Sequence, residues 1–112
     1  MKKVIINQFM FNTTTGEATQ INKLLCIERN KSYKIIGVTN KIHIKTIHKT
    51  WIDELNGHSF IQTYSLGDIN QFKRNVVYEL KYQIDLCERQ IKSNQSEIEK
   101  YKKYIEQIER EV

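Results

Sequence analysis

The sequence contains no proline, only four glycines and only two cysteines among its 112 residues. The glycines stand singly, which argues against the glycine-rich phosphate loops of nucleoside triphosphatases and dinucleotide-binding enzymes. Cys26 and Cys87 have neither a metal-binding nor a redox spacing, and we interpret them as buried free thiols. No apolar run has the roughly 20 residues of a membrane span, and the first apolar stretch is too short for a signal peptide. We therefore expect a cytoplasmic protein without a membrane partner.

Alanine occurs once, at Ala18, whereas isoleucine, lysine and asparagine are frequent. This usage is typical of AT-rich genomes, and from it we infer an origin in a low-GC bacterium, its phages or its plasmids. We expect a small protein of a phage or other mobile element, acting in the cytoplasm of the bacterial host cell. The hydrophobic fraction of 39% and the charged fraction of 28% indicate a globular chain, and the length fits one domain with a modest core.

Acidic residues are scarce in the first half of the chain. Residues 1–50 contain nine lysines and arginines but only two acids, Glu17 and Glu28, which is a net charge of +7. Residues 51–112 have a net charge of −2. This asymmetry predicts an anionic partner for the first half. A basic surface that only keeps the protein soluble explains the same charges.

Residues 1–66 have the alternation and the turn signals of an antiparallel sheet. Stretches rich in β-formers, such as KVIINQFMFN, ATQINKLLCIE and YKIIGV, are separated by polar turns such as NTTTGE and RNKS. Asn56-Gly57, between WIDEL and HSFIQTY, predicts a two-residue hairpin. We expect about five strands in a meander that stays open or curls into a small barrel.

The hydrophobic period changes at SLGD, and residues 67–112 are helical in pattern. Asp68 is the predicted N-cap, with Gln71 as its capping-box partner. From Ile84 onward the seam positions alternate steps of three and four, which is the heptad of a coiled coil. The predicted oligomerisation surface consists of Ile84, Cys87, Ile91, Asn94, Ile98, Tyr101, Ile105 and Ile108. The predicted fold class is α+β, with an antiparallel sheet over residues 1–66 and a helical oligomerisation segment over residues 67–112.

A single helix from residue 69 to residue 112 is about 65 Å long and cannot bury its whole apolar stripe on a five-stranded sheet. We therefore expect a homo-oligomer, and Asn94 supports this because a polar seam residue fixes register. The alternative is a helical hairpin that breaks at the polar residues 93–96, where Ser96 and Glu99 form a second capping box. We favour the continuous helix because the heptad phase crosses this stretch and neither glycine nor proline marks a turn.

KIHIKTIHKTW, residues 41–51, is the main candidate for a binding surface. As one regular strand, it places on one face Lys41, His43, Lys45, Ile47, Lys49 and Trp51. Because lysines bind phosphates and an aromatic ring stacks on a base, we predict a nucleotide or a nucleic acid as the ligand. Further contributors from the preceding turn and strand are Arg29, Lys31 and Lys34. A solvent-facing sheet surface explains these residues without a ligand.

Residues suited to catalysis or metal binding are few. His43 and His48 are five apart, so on a strand they face opposite sides, and a metal would need His58 from the adjacent hairpin. Asp53 and Glu54 also alternate faces and do not form a carboxylate pair. We therefore expect a protein that is not an enzyme and that holds neither a metal nor a cofactor.

Two classes of function follow from these observations. The first is a self-associating protein that binds an anionic ligand, either a nucleotide-type small molecule or a nucleic acid. For a phage-encoded protein of this class, we expect an action against host defence. The second is an adaptor or inhibitor that binds a protein through its C-terminal helix, without such a ligand. A structural virion component is a third, weaker alternative.

Tyr78 and Tyr82, four residues apart, are interpreted as packing against the sheet.

Overall fold

A computed structural model describes residues 2–53, 62–89 and 95–112. Five strands and two helices make up this part of the chain. The strands are β1 (Lys3–Phe11), β2 (Ala18–Glu28), β3 (Ser32–Val38), β4 (Thr46–His48) and β5 (Thr63–Ser65). The helices are α1 (Ile69–Arg89) and α2 (Gln95–Glu111), and one turn of 3₁₀-helix, Lys49–Trp51, follows β4. The α+β class predicted from the two hydrophobic periods is confirmed.

The sheet is antiparallel and curled, with the strand order β4-β3-β2-β1-β5. β1 to β4 form the predicted meander, but β5 pairs with β1 rather than with β4. The curl brings the two edges together, because Ile52 forms a parallel bridge with Tyr64 and the Asp53 N–H donates to the Tyr64 carbonyl at 2.6 Å. The predicted Asn56-Gly57 hairpin and its His58 lie outside the described residues.

A β-bulge in β2 decides which residues face each side of the sheet. Gln8 of β1 pairs with Asn22, whereas Phe9 pairs with Gln20, so Ile21 is an extra residue in β2. Because side chains alternate sides along a strand, the extra residue reverses the alternation of β2 beyond it. Asn22 therefore lies on the same side as Gln8.

The two sides of the sheet have separate cores. The side that carries Phe9, Phe11 and Ala18 packs against the helices, and we call it the helix face. The other side buries Ile6, Leu24, Cys26, Tyr33 and Ile47, and we call it the loop face because Ile42 and Ile44, from the segment between β3 and β4, pack on it. The sheet thus has helices over one end of one side and an irregular segment over the other side.

The C-terminal region is a helical hairpin, so the continuous helix that we favoured is wrong. Lys73, near the start of α1, forms an ion pair of 2.8 Å with Glu111 at the end of α2, which shows that the helices are antiparallel. α1 docks on the sheet through Phe72, whose ring stacks on Phe9 at a centroid distance of 4.9 Å. Asp68 is the N-cap as predicted, because its Oδ1 accepts the Gln71 N–H at 2.9 Å.

Folding back into a hairpin gives the heptad residues partners within the chain. Those buried in the shared core are Ile84, Ile98, Ile105 and Ile108, and Cys87 and Tyr101 pack half-buried against them. Ile91 and Asn94 lie outside the described residues. The apolar seam therefore no longer requires a second chain, and self-association remains a prediction.

Tyr104 of α2 fixes the hairpin to the turn between β1 and β2. Its hydroxyl donates to the carbonyls of Thr13, at 2.8 Å, and Thr14, at 3.1 Å. Gly16 lies under its ring in a left-handed conformation, with φ of 77°. A Cβ atom at Gly16 would overlap the ring of Tyr104. This turn and this helix are therefore packed as one unit.

Tyr78 and Tyr82 are exposed, so their interpretation as core residues is wrong. The exposed fractions are 73% for Tyr78 and 50% for Tyr82. The buried side of α1 instead comprises Phe72, Val76, Val77, Leu80 and Ile84. At 100° per residue the two tyrosines lie on the opposite side of the helix, away from both the sheet and α2.

Within the described residues, neither helix combines the length and apolarity needed to cross a membrane.

Candidate functional site

Residues 41–51 do not form one regular strand, which corrects the predicted arrangement of the binding face. Only Thr46–His48 is strand, and the chain from residue 39 to residue 45 leaves the edge of the sheet. Lys41, His43 and Lys45 are exposed, as the predicted alternation requires, but Ile47 is fully buried beside Tyr33 rather than on a solvent-facing surface. The alternation shifts by one where the strand begins, so the six residues of the predicted face do not share one surface.

Asn22 holds this segment on the loop face. Its side chain is 4% exposed, and its Oδ1 accepts the Thr39 N–H at 3.1 Å, the Thr39 hydroxyl at 2.9 Å and the Asn40 N–H at 3.0 Å. Its Nδ2 donates to the Asn40 carbonyl at 2.9 Å. One buried amide therefore fixes the point where the chain turns away from β3, immediately before Lys41.

A cleft of about 390 Å³ lies between this segment and strands β1 and β5. We call it the loop cleft. The residues that line it are Gln8, Ile21, Asn40, Lys41, Ile42, His43, Ile44, Gln62 and Tyr64. Three isoleucines, a few polar side chains and one lysine give it the mixed lining of a small-molecule site, at the lower end of the usual size range.

The Gln8 amide and the Tyr64 hydroxyl belong to side chains that line this cleft, and neither forms a hydrogen bond with a described residue. Gln8 is 4% exposed, and its side chain makes no hydrogen bond with any described residue. Among the described residues, the only side-chain polar atom that is both fully buried and without a hydrogen-bond partner is Thr63 Oγ1. The Gln8 amide is therefore not fully buried, and it remains accessible from the cleft. Burial raises the pKa of the Tyr64 hydroxyl, which is therefore a neutral donor and acceptor at neutral pH.

Lys49 and Trp51 lie outside the loop cleft, at the 3₁₀ turn. Lys49 forms an ion pair of 2.9 Å with Glu28 and lies 5.3 Å from the ring centroid of Tyr33. The Lys49 ammonium, by hydrogen bond and charge, lowers the pKa of Glu28. Trp51 is 38% exposed. Lys49 is therefore committed within the chain, whereas Trp51 offers an aromatic surface.

The loop cleft and the aromatic residues near the 3₁₀ turn meet at Tyr64. Its ring stacks near that of Trp51, with a centroid distance of 6.3 Å and an interplanar angle of 26°. The ring of His48 packs edge-on against that of Trp51, with a centroid distance of 4.7 Å. Because Tyr64 also lines the loop cleft, an aromatic cluster adjoins the cleft at that residue.

The remaining predicted basic residues surround the sheet without sharing one patch. Arg29 and Lys31 lie in the turn between β2 and β3, and the Lys31 carbonyl accepts the Lys49 N–H at 3.1 Å. Lys34 pairs with Thr46 and Ile27, on the helix face, and therefore points away from the loop cleft. Only Lys41 and His43, of the predicted ligand residues, line the cleft itself.

Most of the basic residues of the sheet region are free of ion pairs. Among the nine between positions 2 and 49, only Lys49 pairs with an acid in the described chain. The other eight are exposed: Lys2, Lys3, Lys23, Arg29, Lys31, Lys34, Lys41 and Lys45. The positive field of this half is therefore not neutralised locally.

A larger cleft, of about 640 Å³, lies between α1 and α2. Its charged lining residues carry both signs, because Lys81, Lys102 and Lys103 face Glu99 and Glu106. It therefore has no preference for an anion.

No three metal-ligating side chains come together anywhere in residues 2–53, 62–89 and 95–112.

Sequence reasoning missed Gln8, Asn22 and Tyr64. A signal for the first two exists in the sequence, because each interrupts an apolar alternation, Gln8 after Ile6 and Asn22 before Leu24. A polar residue at an inward position has to find a hydrogen-bond partner or a cleft. Their juxtaposition depends on the bulge in β2, for which the sequence carries no recognisable signal.

Comparisons with protein-family models, with curated proteins and with solved structures gave no match. The chemistry of the loop cleft and the charges around it therefore carry the functional argument.

Proposed function

We propose that this chain is a non-enzymatic binding protein for a phosphate-bearing ligand, a nucleotide that is either free or part of a single strand, which it holds at the loop cleft. The observation that carries the proposal is the excess of exposed lysines and arginines on the half of the chain that contains the cleft, eight of which form no ion pair with a described residue and one of which, Lys41, lines the cleft. Unneutralised positive charge raises the local concentration of anions and favours phosphate contacts. Lys41, at the rim of the cleft, is the proposed phosphate contact.

Two further features support a nucleotide over a simple anion. The aromatic cluster of Trp51 and Tyr64 adjoins the cleft and offers a stacking surface, which phosphate alone does not use. The cleft is also partly apolar, which suits a ring system. An origin in a phage or other mobile element, and an action against host defence, remain predictions from size and composition.

Reversing the charges at the cleft is expected to abolish ligand binding. Lys41→Glu combined with Lys45→Glu replaces two cations by two anions on the segment that borders the cleft, with Lys41 in the cleft lining itself. This should weaken binding roughly a hundredfold or more. The measurement is fluorescence anisotropy of a labelled single-stranded oligonucleotide, with calorimetry of a free nucleotide, at low and at high salt. Wild-type affinity should fall as salt rises.

The matched control is Lys102→Glu combined with Lys103→Glu. Both residues are exposed on α2 and make no ion pair with a described residue, so the net charge changes equally at a site remote from the segment of residues 41–45. This variant should keep its affinity within about threefold of the wild type, since only the long-range field changes. Equal losses in the two variants, or no binding by the wild type at low salt, would refute the proposal.

A second candidate function is favoured by Tyr78 and Tyr82. We propose that this exposed side of α1 binds a protein surface, and that a second copy of the chain is the first partner to test. Tyrosine pairs of this kind are enriched at protein interfaces because their rings bury a large area. The seam residues that the structure describes pack against one another within the chain, so these tyrosines replace them as the proposed contact.

Sedimentation velocity at micromolar concentration tests this candidate. The wild type should sediment as a dimer or larger species, and the double variant Tyr78→Ser with Tyr82→Ser should sediment as a monomer with an unchanged unfolding temperature. The conservative pair Tyr78→Phe with Tyr82→Phe keeps the rings and should keep the association. A wild type that is monomeric throughout the concentration range would contradict self-association through this surface.

A further inference from the structure

We propose that the loop cleft receives the base of the bound nucleotide and that Gln8 forms hydrogen bonds to the edge of that base. This inference rests on the proposed function and names the part of the ligand that the cleft recognises. It assigns to Gln8 a role in specificity, while Lys41 contacts the phosphate.

The position of Gln8 carries the argument. It lies between Asn22 and Tyr64 in one row across three neighbouring strands on the loop face. Asn22 uses its amide on residues 39 and 40, but the Gln8 amide makes no hydrogen bond in the described chain, although the residue is 4% exposed. Because the amide lines the loop cleft and makes no hydrogen bond within the described chain, its donor and acceptor are available to a ligand in place of water.

The chemistry of the amide selects the ligand class. A glutamine side chain presents a donor and an acceptor next to each other, which matches the paired donor and acceptor on the edge of a nucleobase. A phosphate accepts hydrogen bonds but offers no second donor of that kind at neutral pH. The apolar walls from Ile21, Ile42 and Ile44 suit the faces of a flat ring. At about 390 Å³ the cleft suits a single base.

Two pairs of probes test the inference on the full chain. The first pair is adenosine 5′-monophosphate and ribose 5-phosphate, and the second is an oligoadenylate strand and an abasic strand of equal length. Each pair has the same phosphates and differs in the base. We expect the base-bearing member of at least one pair to bind roughly tenfold to a hundredfold more tightly. Equal affinities within both pairs would overturn the inference and leave anion binding intact, whereas no binding of any probe would overturn the proposed function itself.

Gln8→Met removes the amide and keeps the length of the side chain. It should bring the affinity for the base-bearing probe down to that for its base-free partner, and it should leave the base-free affinity unchanged. Gln20→Met makes the same change on the opposite face of β2 and should preserve the discrimination. Retained discrimination in Gln8→Met would refute the role of Gln8.

The unfolding temperature separates this role from a structural one. The Gln8 amide has no partner in the described chain, so Gln8→Met should unfold at the same temperature as the wild type or higher. A clearly lower temperature would indicate a structural role. Should Gln8→Met fail to fold, Gln8→Glu keeps the shape, loses the amide donor and should show the same loss of discrimination, whereas full discrimination in that variant would refute the inference.

Discussion

Replacement of Gly16 by alanine is expected to destabilise the fold by about 3 kcal/mol. The residue has φ of 77°, a conformation that costs an L-residue with a Cβ atom roughly 1–2 kcal/mol. The added methyl group also overlaps the Tyr104 ring, so the ring has to move and its hydrogen bonds to the turn are lost. For a chain of this length the unfolding temperature should fall by at least about 10 °C. Thermal and urea-induced unfolding followed by circular dichroism measure the change.

Gly37→Ala is the matched control. A Cβ at Gly37 would lie 3.6 Å from Leu25 Cβ, an ordinary contact, and the residue has no positive φ. Its effect should be small, because alanine also restricts the unfolded chain. If both alanine variants melt within about 2 °C of the wild type, the packing of α2 on the β1–β2 turn is not as described.

Replacement of Asn22 by alanine is the second change with a large expected effect. It removes four hydrogen bonds to residues 39 and 40 and leaves the Asn40 N–H without its acceptor. We expect a loss of about 3 kcal/mol in the free energy of unfolding. Amide hydrogen exchange should also become faster at Thr39 and Asn40, because the segment that carries Lys41 and His43 loses its anchor. Urea unfolding and exchange measured by NMR test the two effects.

Asn12→Ala makes the same substitution at an exposed turn. The Asn12 Oδ1 accepts the N–H groups of Thr14 and Thr15 at 2.8 and 3.2 Å, and water can replace both bonds. The loss should be about 1 kcal/mol or less. Similar losses in the two variants would mean that burial of the Asn22 amide does not set its contribution.

The fold could be predicted as far as local periodicity determines it. The alternation of KVIINQFMFN and the cap at Asp68 are local features, and both elements lie where they are expected. The hairpin could not be predicted, because heptad positions such as Ile98 and Ile105 are apolar whether their partner is α1 of the same chain or a helix of another. The pairing of β5 with β1 is also a property of the whole sheet rather than of the residues in β5.

The candidate site could be predicted only in part. The exposure of Lys41, His43 and Lys45 follows from alternation with Ile42 and Ile44, which pack on the sheet. The ion pair of Lys49 with Glu28 joins residues 21 positions apart, and spacing alone does not reveal it. The loop cleft depends on the register of three strands, and an unaligned sequence does not determine that register.

The extra residue in β2 has an evolutionary consequence. Point substitutions along this strand change one side chain each, but the loss of Ile21 would turn every later side chain of β2, or every earlier one, to the other side of the sheet. Asn22 would then leave Gln8 and the turn at Asn40. Descendants of this gene should therefore accept substitutions at the exposed positions of this strand but keep its number of residues constant.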